Sequence, residues 1–473
     1  MSPAPFLIGL FIMGKRKHET DLLNGSVCRT LIGFSVPFVL ASLLQMAYTS
    51  VDVYFMGKYA SSTALAGTFQ GMGIIGALTY FFYGIANGGA VLLGQEVGAE
   101  KKQDASRTLG NLITLSAVSA VLAMLLIEFC GKIFIAWMNV PEEAVDESWK
   151  YLHTCMFGLV FVMGYNIVSS VLRSLGNSKV PFLFIIISSV LNILFDYVTV
   201  GLWHLAATGA ALSTITSQGI CFILSLLYLY RKKLPFDFRI RHCRPEKKQV
   251  RKILTVGLPL SLQSILNNVS MMVATAMINT LGLYVVAGIS VVNTIASFSI
   301  MVPMSMGSAI SAMTAQNIGA RKTERARKIL FYGTLFSLLC AVPACLAMNL
   351  WPEAIAGILN KEPPVLVESV RYLKPVSFNC ILVCVMFCFS GFFNGCGKTL
   401  FSMLLEGLSA LLVRIPATWL ILHLVPNVTA LQAGFAWPLT SLVSSIACII
   451  YYRRRFSGDK LEQISLVAST PGQ

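Results

Sequence analysis

Two aspartates of this chain stand where an aspartate is costly. Asp52 and Asp196 each lie inside a long apolar stretch, and an ionisable group within a membrane-spanning segment usually marks a functional position. Asn192 precedes Asp196 by four residues, so on a helix both project from one face. Thr214, in the next apolar stretch, adds a hydroxyl. Carboxylate, amide and hydroxyl oxygens together form a hard-oxygen cluster, the donor set of a small cation or a proton. Two neighbouring carboxyls removed from water do not both hold charge easily. Such a pair can load a proton from one side of a barrier and release it on the other. Taken singly, Asp52 has a structural alternative as a hydrated group near an interface, and Asp196 as a cap at a helix break. Their joint presence with Asn192 and Thr214 in one half of the chain favours the cluster.

Other polar residues carry weaker signals. Tyr48 stands one helical turn before Asp52, within reach of such a cluster, and Asn166 lies inside the fourth apolar stretch. For both, holding helices together is the default role of a polar residue in lipid. Glu406 and Arg414 share the eleventh stretch, about two turns apart. They fit either a structural pair, the favoured reading, or a cavity lining. Cys380, Cys384 and Cys388 form an apolar stripe of small packing residues rather than a metal site. The run Gly391–Thr399 ends in Gly-Lys-Thr, but the glycine spacing is wrong for a phosphate loop and no strand precedes it. No motif for ATP-driven pumping is present. His153, His204 and His423 are scattered near stretch ends, which disfavours an intramembrane enzyme. The abundant Met and Phe residues read as lipid contacts, packing, or the walls of a pliable apolar cavity.

The elements that must position these groups follow from composition. The chain has 473 residues, 56% hydrophobic and only 12% charged, with mean hydropathy +0.72. A soluble domain carries about a quarter charged residues, so a soluble globular enzyme is excluded, and a disordered chain equally so. A spanning helix takes roughly 20 apolar residues. Twelve spans are predicted, near 31–55, 67–93, 109–135, 151–172, 181–202, 206–229, 253–281, 285–309, 330–350, 376–393, 401–422 and 432–451. Backbone groups in hydrocarbon must bond within their own segment, so these are helices.

Charge sets the orientation. Lys15–Lys17, Lys101–Arg107, Arg173 and Lys179, Arg231–Lys252, Arg321–Lys328 and Arg453–Arg455 all fall on one side of such a topology. The opposite loops are poor in Lys and Arg, and one carries Glu142, Glu143, Asp146 and Glu147. The positive-inside rule then places both termini in the cytoplasm. The net charge of +15 is topological, with some attraction to anionic lipid, and nucleic acid is not an expected partner. Residues 3–13 form a short apolar run ahead of the first basic cluster, the reverse of a signal peptide's order. That segment is expected to be loosely attached, with Met13-Gly14-Lys15 as an alternative start.

The chain also repeats itself. Ala64-Leu65-Ala66-Gly67 is echoed by Val285-Val286-Ala287-Gly288, and Gln95–Lys102 by Gln316–Lys322, both at the same offset along the chain. Arg173–Lys179 has a weaker echo in Asn394–Thr399, and Pro37 has a counterpart in Pro259. Asp52 is matched by Val273, so the acid is not a relic of duplication. Six spans per copy return the chain to its starting side, which makes the copies parallel. The expected fold is an all-α membrane protein of about twelve transmembrane helices in two parallel-repeat six-helix bundles around a central cleft. The expected boundaries are a cytoplasmic tail 1–27, an N-lobe 28–230, a basic linker 231–252, a C-lobe 253–456 and a cytoplasmic tail 457–473.

Taken in order, Pro37…Gln45…Tyr48…Val51-Asp52…Gly57, Ala64–Gly67, Gln95…Gly98-Ala99, Arg173…Gly176-Asn177…Pro181, Gly257-Leu258-Pro259 and Gln316…Gly319-Ala320 resemble the multidrug and toxic compound extrusion (MATE) family over nearly the whole chain. Asn192, Asp196 and their spacing to Thr214 resemble the branch that includes DNA-damage-inducible protein F. The resemblance implies an antiporter in the plasma membrane without cofactor; a monomer is the expected state, since the cleft between the lobes does not require a dimer. H⁺ or Na⁺ flowing inward would drive export of amphipathic, often cationic organic compounds. By the same resemblance Asp52, Asn192, Asp196 and Thr214 hold the coupling ion, as a metal site if that ion is Na⁺, with the Ala210 carbonyl as a further ligand. Tyr48 and Asn166 match the same polar network. Glu406 and Arg414 are the second half's cavity candidates, and Pro37 and Pro259 are the hinge candidates of the first and second halves. A flippase for a lipid-linked substrate is the alternative of the same architecture, disfavoured by the scarcity of mid-span cations.

Overall fold

The computed structural model describes residues 20–138, 140–232, 234–426, 428–456 and 460–462. The expectations for residues 1–19 and for most of the C-terminal tail fall outside these. The described residues contain helices and no strand. The first half supplies α1 (Val27–Tyr59), α2 (Ser62–Gly98), α3 (Lys102–Trp137), α4 (Glu142–Ser174), α5 (Lys179–Leu202) and α6 (Ala206–Arg231). The second supplies α7 (Lys247–Ile278), then α8 (Leu283–Gly319), α9 (Thr323–Leu350), α10 (Pro363–Gly395), α11 (Thr399–Leu424) and α12 (Ala430–Arg455).

Each predicted span corresponds to one of these helices. Eleven are long and apolar enough to cross a membrane. The twelfth, α7, has 32 residues, about 48 Å at 1.5 Å per residue. Its apolar character is diluted by Ser261, Gln263, Ser264, Asn267, Asn268 and Ser270. Local chemistry sets several helix starts. The Ser61 hydroxyl accepts the Ala64 N–H at 3.1 Å ahead of α2. Pro141 precedes α4, whose first turn carries Glu142 and Glu143, acids that suit the positive end of the helix dipole. Large apolar side chains such as Phe129, Trp137, Tyr230 and Leu283 are exposed, a surface that water would penalise and acyl chains accept.

The chain divides into two compact units. One contains Val36–Ser261. The other contains Leu22–Ser35 and the chain from Leu262 onward. Each of the two units therefore includes the start of a helix that belongs, by sequence, to the other repeat. In the first unit the segment ahead of α7, with the first turn of α7 itself, is tied to α2 and α3. Ser106 Oγ donates to the Asp237 carbonyl at 2.8 Å, Asn111 Oδ1 accepts the Glu246 N–H at 2.7 Å, and Gln249 Nε2 donates to Glu96 Oε1 at 3.1 Å. In the second unit the segment ahead of α1 is tied to α8 and α9. Asn317 Nδ2 donates to the Leu22 carbonyl at 3.0 Å, and Arg325 holds the Asn24 and Gly25 carbonyls at 2.7 and 2.6 Å. Pro37 lies within α1 and Pro259 within α7, each close to the place where its helix passes from one unit to the other. A proline removes one helical hydrogen bond, so both helices have a weak point there.

The sequence repeat is also a backbone repeat. Glu100 and Arg321 both have φ 57°, and Gly176 and Gly397 have φ 84° and 74°. Both pairs are related by the same offset that relates Gly67 to Gly288. Gly397 turns the chain from α10 into α11, so the Gly-Lys-Thr run is a helix-to-helix corner and not a phosphate loop.

Candidate functional site

Asp52 lies on α1 and is 4% exposed; Asp196 lies on α5 and is 1% exposed. Both belong to the first unit. The two carboxyls lie within electrostatic reach of each other, with Asn192 in the same neighbourhood. Asn192 is buried one turn before Asp196, on the shared face that its spacing predicts. Asp52 Oδ1, Asp196 Oδ2 and both amide atoms of Asn192 are buried with no hydrogen-bond partner among the described residues. Buried polar atoms are nearly always satisfied in folded proteins. A group of acceptor oxygens lacking donors is what a proton or a small cation satisfies.

The hydroxyl from α6 comes from Ser213, not from Thr214. Ser213 Oγ is fully buried and contacts Asp196 Oδ1, and it also reaches the Ala210 carbonyl at 3.0 Å. Ala210 thus enters the network through Ser213. Thr214 is half-buried, and its carbonyl accepts from Ser217 Oγ at 3.0 Å. A π-helical turn, Tyr197–Leu202, follows Asp196 directly. Thr199 Oγ1 ties that turn to the Phe195 and Gly209 carbonyls, at 2.9 Å each. Such turns are frequent at functional sites because they re-aim a helix face and free backbone carbonyls.

Tyr48 is half-buried and lies within electrostatic reach of Asp52. Tyr151 is a member of this neighbourhood that sequence reasoning missed. It is 3% exposed and lies near both Asp52 and Tyr48. Room for its ring is made by Gly71, where a Cβ would stand 2.6 Å from the ring carbon Cδ1. That glycine, on the helix facing a tyrosine, was the available signal. Asn166 lines a small cavity with Phe82, Ser116, Ser119 and Met163.

Glu406 and Arg414, in the second unit, do not form the expected pair. Glu406 is buried and its Oε2 is held by Gln263 Nε2 from α7. Arg414 instead lies over the Trp437 ring, 4.4 Å from guanidinium carbon to centroid. Two successive π-helical turns, Leu404–Leu408 and Ala410–Arg414, separate their directions. Among the described residues no group of three or more His, Cys, Asp and Glu side chains is placed to share a metal ion.

Two six-helix repeats in an apolar, multi-pass chain, with a carboxyl pair buried in one unit, define a membrane transporter. A sequence model of the MatE family matches the chain twice, over residues 37–198 and 259–420, and the chain belongs to that family. It is 27% identical over 434 residues to the probable multidrug resistance protein YpnP of Bacillus subtilis, covering 92% of this chain and 96% of that one. It is 22% identical over 455 residues to the multidrug export protein MepA of Staphylococcus haemolyticus, covering 94% and 98%. Among solved structures, a multidrug resistance MATE family transporter in an outward-facing conformation superposes with TM-score 0.87 at 18% identity, over 95% of this chain and 99% of that one. A MATE in the straight conformation gives TM-score 0.87 at 19% identity, over 96% and 100%. The fold is that of these transporters.

Proposed function

We propose that the protein is a secondary antiporter of the plasma membrane, with both termini cytoplasmic. It exports amphipathic, often cationic organic compounds in exchange for H⁺ or Na⁺. The observation that carries this is the buried Asp52–Asp196 pair with its partnerless oxygens. The names of the multidrug-resistance relatives support the class of cargo.

The coupling follows from charge. Two neighbouring carboxylates repel, and a proton or Na⁺ between them removes the repulsion. Asn192 and Ser213 position the pair, Asn192 near Asp52 and Ser213 on Asp196. Loading the pair draws α1 toward α5, and the helix yields at Pro37, where a backbone bond is already missing. Exchange requires that ion and cargo favour different conformations, because a ligand shifts an equilibrium only by its differential affinity.

The test is dye export from proteoliposomes with Na⁺ and pH gradients imposed independently. Antiport predicts flux driven by at least one gradient and reversed when that gradient is reversed. Flux indifferent to both gradients overturns the proposal.

A further inference from the structure

The packed face of α11 carries a cation, Arg414, that forms no ion pair among the described residues. Gly407, Ala410, Ala417 and Thr418 on this helix are buried, whereas Leu412 is 69% exposed and Leu420 and Leu424 are exposed as well. Arg414 closes the second π-helical turn of this helix, and its Nε is buried. It is half-buried and stands on the packed side, away from the apolar face where a side chain snorkelling along lipid would lie.

Its surroundings offer donors and no carboxylate. The guanidinium stacks on Trp437, a cation–π contact. Among the described residues Arg414 Nε is buried without a hydrogen-bond partner, and so is the hydroxyl of Tyr372, a side chain 0% exposed and within electrostatic reach of Arg414. Glu406, on the same helix, is engaged by Gln263. No ion pair joins Arg414 to any described residue. A charge held partly out of water without a counter-charge is costly, and an intramembrane cation of this kind points to a ligand.

The repeat gives the position its meaning. Tyr372 stands in the second copy where Tyr151 stands in the first. Tyr151 lies near Asp52, and Tyr372 near Arg414. The two units thus place charges of opposite sign within electrostatic reach of equivalent tyrosines.

We propose that Arg414, Tyr372 and Trp437 form an anion subsite of the second unit that takes the carboxylate of an organic compound. The planar guanidinium fork matches a carboxylate bidentately, the phenol adds a donor, and Trp437 fixes the plane of the fork. This rests on the exporter reading and names the cargo class: aromatic or amphipathic compounds bearing a carboxylate, zwitterions included.

The experiment is equilibrium binding to the full-length protein in nanodiscs, without any gradient, of an aromatic carboxylic acid and its methyl ester. The acid is expected to bind at least tenfold tighter than the ester. In Arg414→Gln that ratio collapses toward one, and Arg414→Lys keeps part of it, since an ammonium retains the charge and loses the fork. If Arg414→Gln does not fold, Tyr372→Phe provides the reading, with the acid–ester ratio falling several-fold while the ester is unaffected. Equal binding of acid and ester by the wild type overturns the subsite, as does a ratio unchanged in Arg414→Gln or, in its place, Tyr372→Phe. Because no gradient is involved, the two proposals fail separately. Gradient-driven dye export without acid preference sinks the subsite alone, and acid preference without gradient-driven export sinks the antiporter alone.

Discussion

The Ser148 hydroxyl donates to the Gly67 carbonyl at 3.0 Å, binding α4 to α2, and the second half repeats the bond between Ser369 and Gly288 at 3.3 Å. At both crossings the glycine allows the contact. A Cβ on Gly67 would stand 2.8 Å from the Ala144 carbonyl oxygen, and one on Gly288 would stand 2.8 Å from the Ser369 nitrogen. The obstacles are backbone, so neither helix can simply rotate a side chain away.

Gly67→Ala and Gly288→Ala are therefore each expected to destabilise the protein by about 1–3 kcal/mol, the range for overpacking a close contact. Thermal unfolding in detergent should show an apparent Tm lowered by several degrees for both. The same change at Gly57, where a Cβ meets nothing within 4 Å, should leave Tm within a degree or two.

Asp52→Asn and Asp196→Asn are expected to reduce gradient-driven export at least tenfold each. The double variant should be little worse than either single one, because groups acting as a unit are not additive. Initial rates of dye efflux in proteoliposomes measure this. Normal rates in both single variants would remove the carboxyl pair from the mechanism.

Ser213→Ala and Thr214→Ala separate neighbouring hydroxyls. Ser213 contacts the Asp196 carboxyl and Thr214 does not. A hydrogen bond to a charged group contributes about 1.5–3 kcal/mol, so Ser213→Ala should shift the driving-ion concentration for half-maximal flux roughly tenfold or more. Thr214→Ala should shift it less than about threefold on the same scale. The reverse order would place the ion on the other hydroxyl.

Glu96 and Asn317 occupy equivalent places in the two repeats. Glu96 holds Gln249 and Thr108, whereas Asn317 holds the Leu22 carbonyl. Glu96→Ala should cost about 1–3 kcal/mol by leaving buried polar groups unpaired. It should also raise amide hydrogen exchange selectively over residues 237–249. Asn317→Ala should raise exchange over residues 22–25 instead. Uniform changes along the chain would argue against these local ties.

Much of this was legible in the residues. Twelve apolar stretches became twelve helices, because a backbone without water must bond to itself whatever its neighbours do. The echoed Gly67 and Gly288 marked the crossings of α2 with α4 and of α8 with α10. Asn192 and Asp196 marked a common face through their spacing alone. Ser213 was not legible, since Ser213 and Thr214 are adjacent and the packing of α6 against α5 selects which one meets Asp196. Nor was the separation of Glu406 from Arg414, because π-helical turns change the angle per residue on which sequence spacing relies.

By itself the sequence determined what depends on composition and period: a lipid-embedded helical chain, its duplication, and the costly acids Asp52 and Asp196. Tertiary structure alone decided what depends on direction. It buried the two carboxyls in one neighbourhood, gave Ser213 to Asp196, turned Glu406 to Gln263 and Arg414 to Trp437, and assigned the starts of α1 and α7 to the opposite units. Periodicity fixes which face of a helix a residue occupies, but the neighbour across that face is supplied by another segment, often far away along the chain.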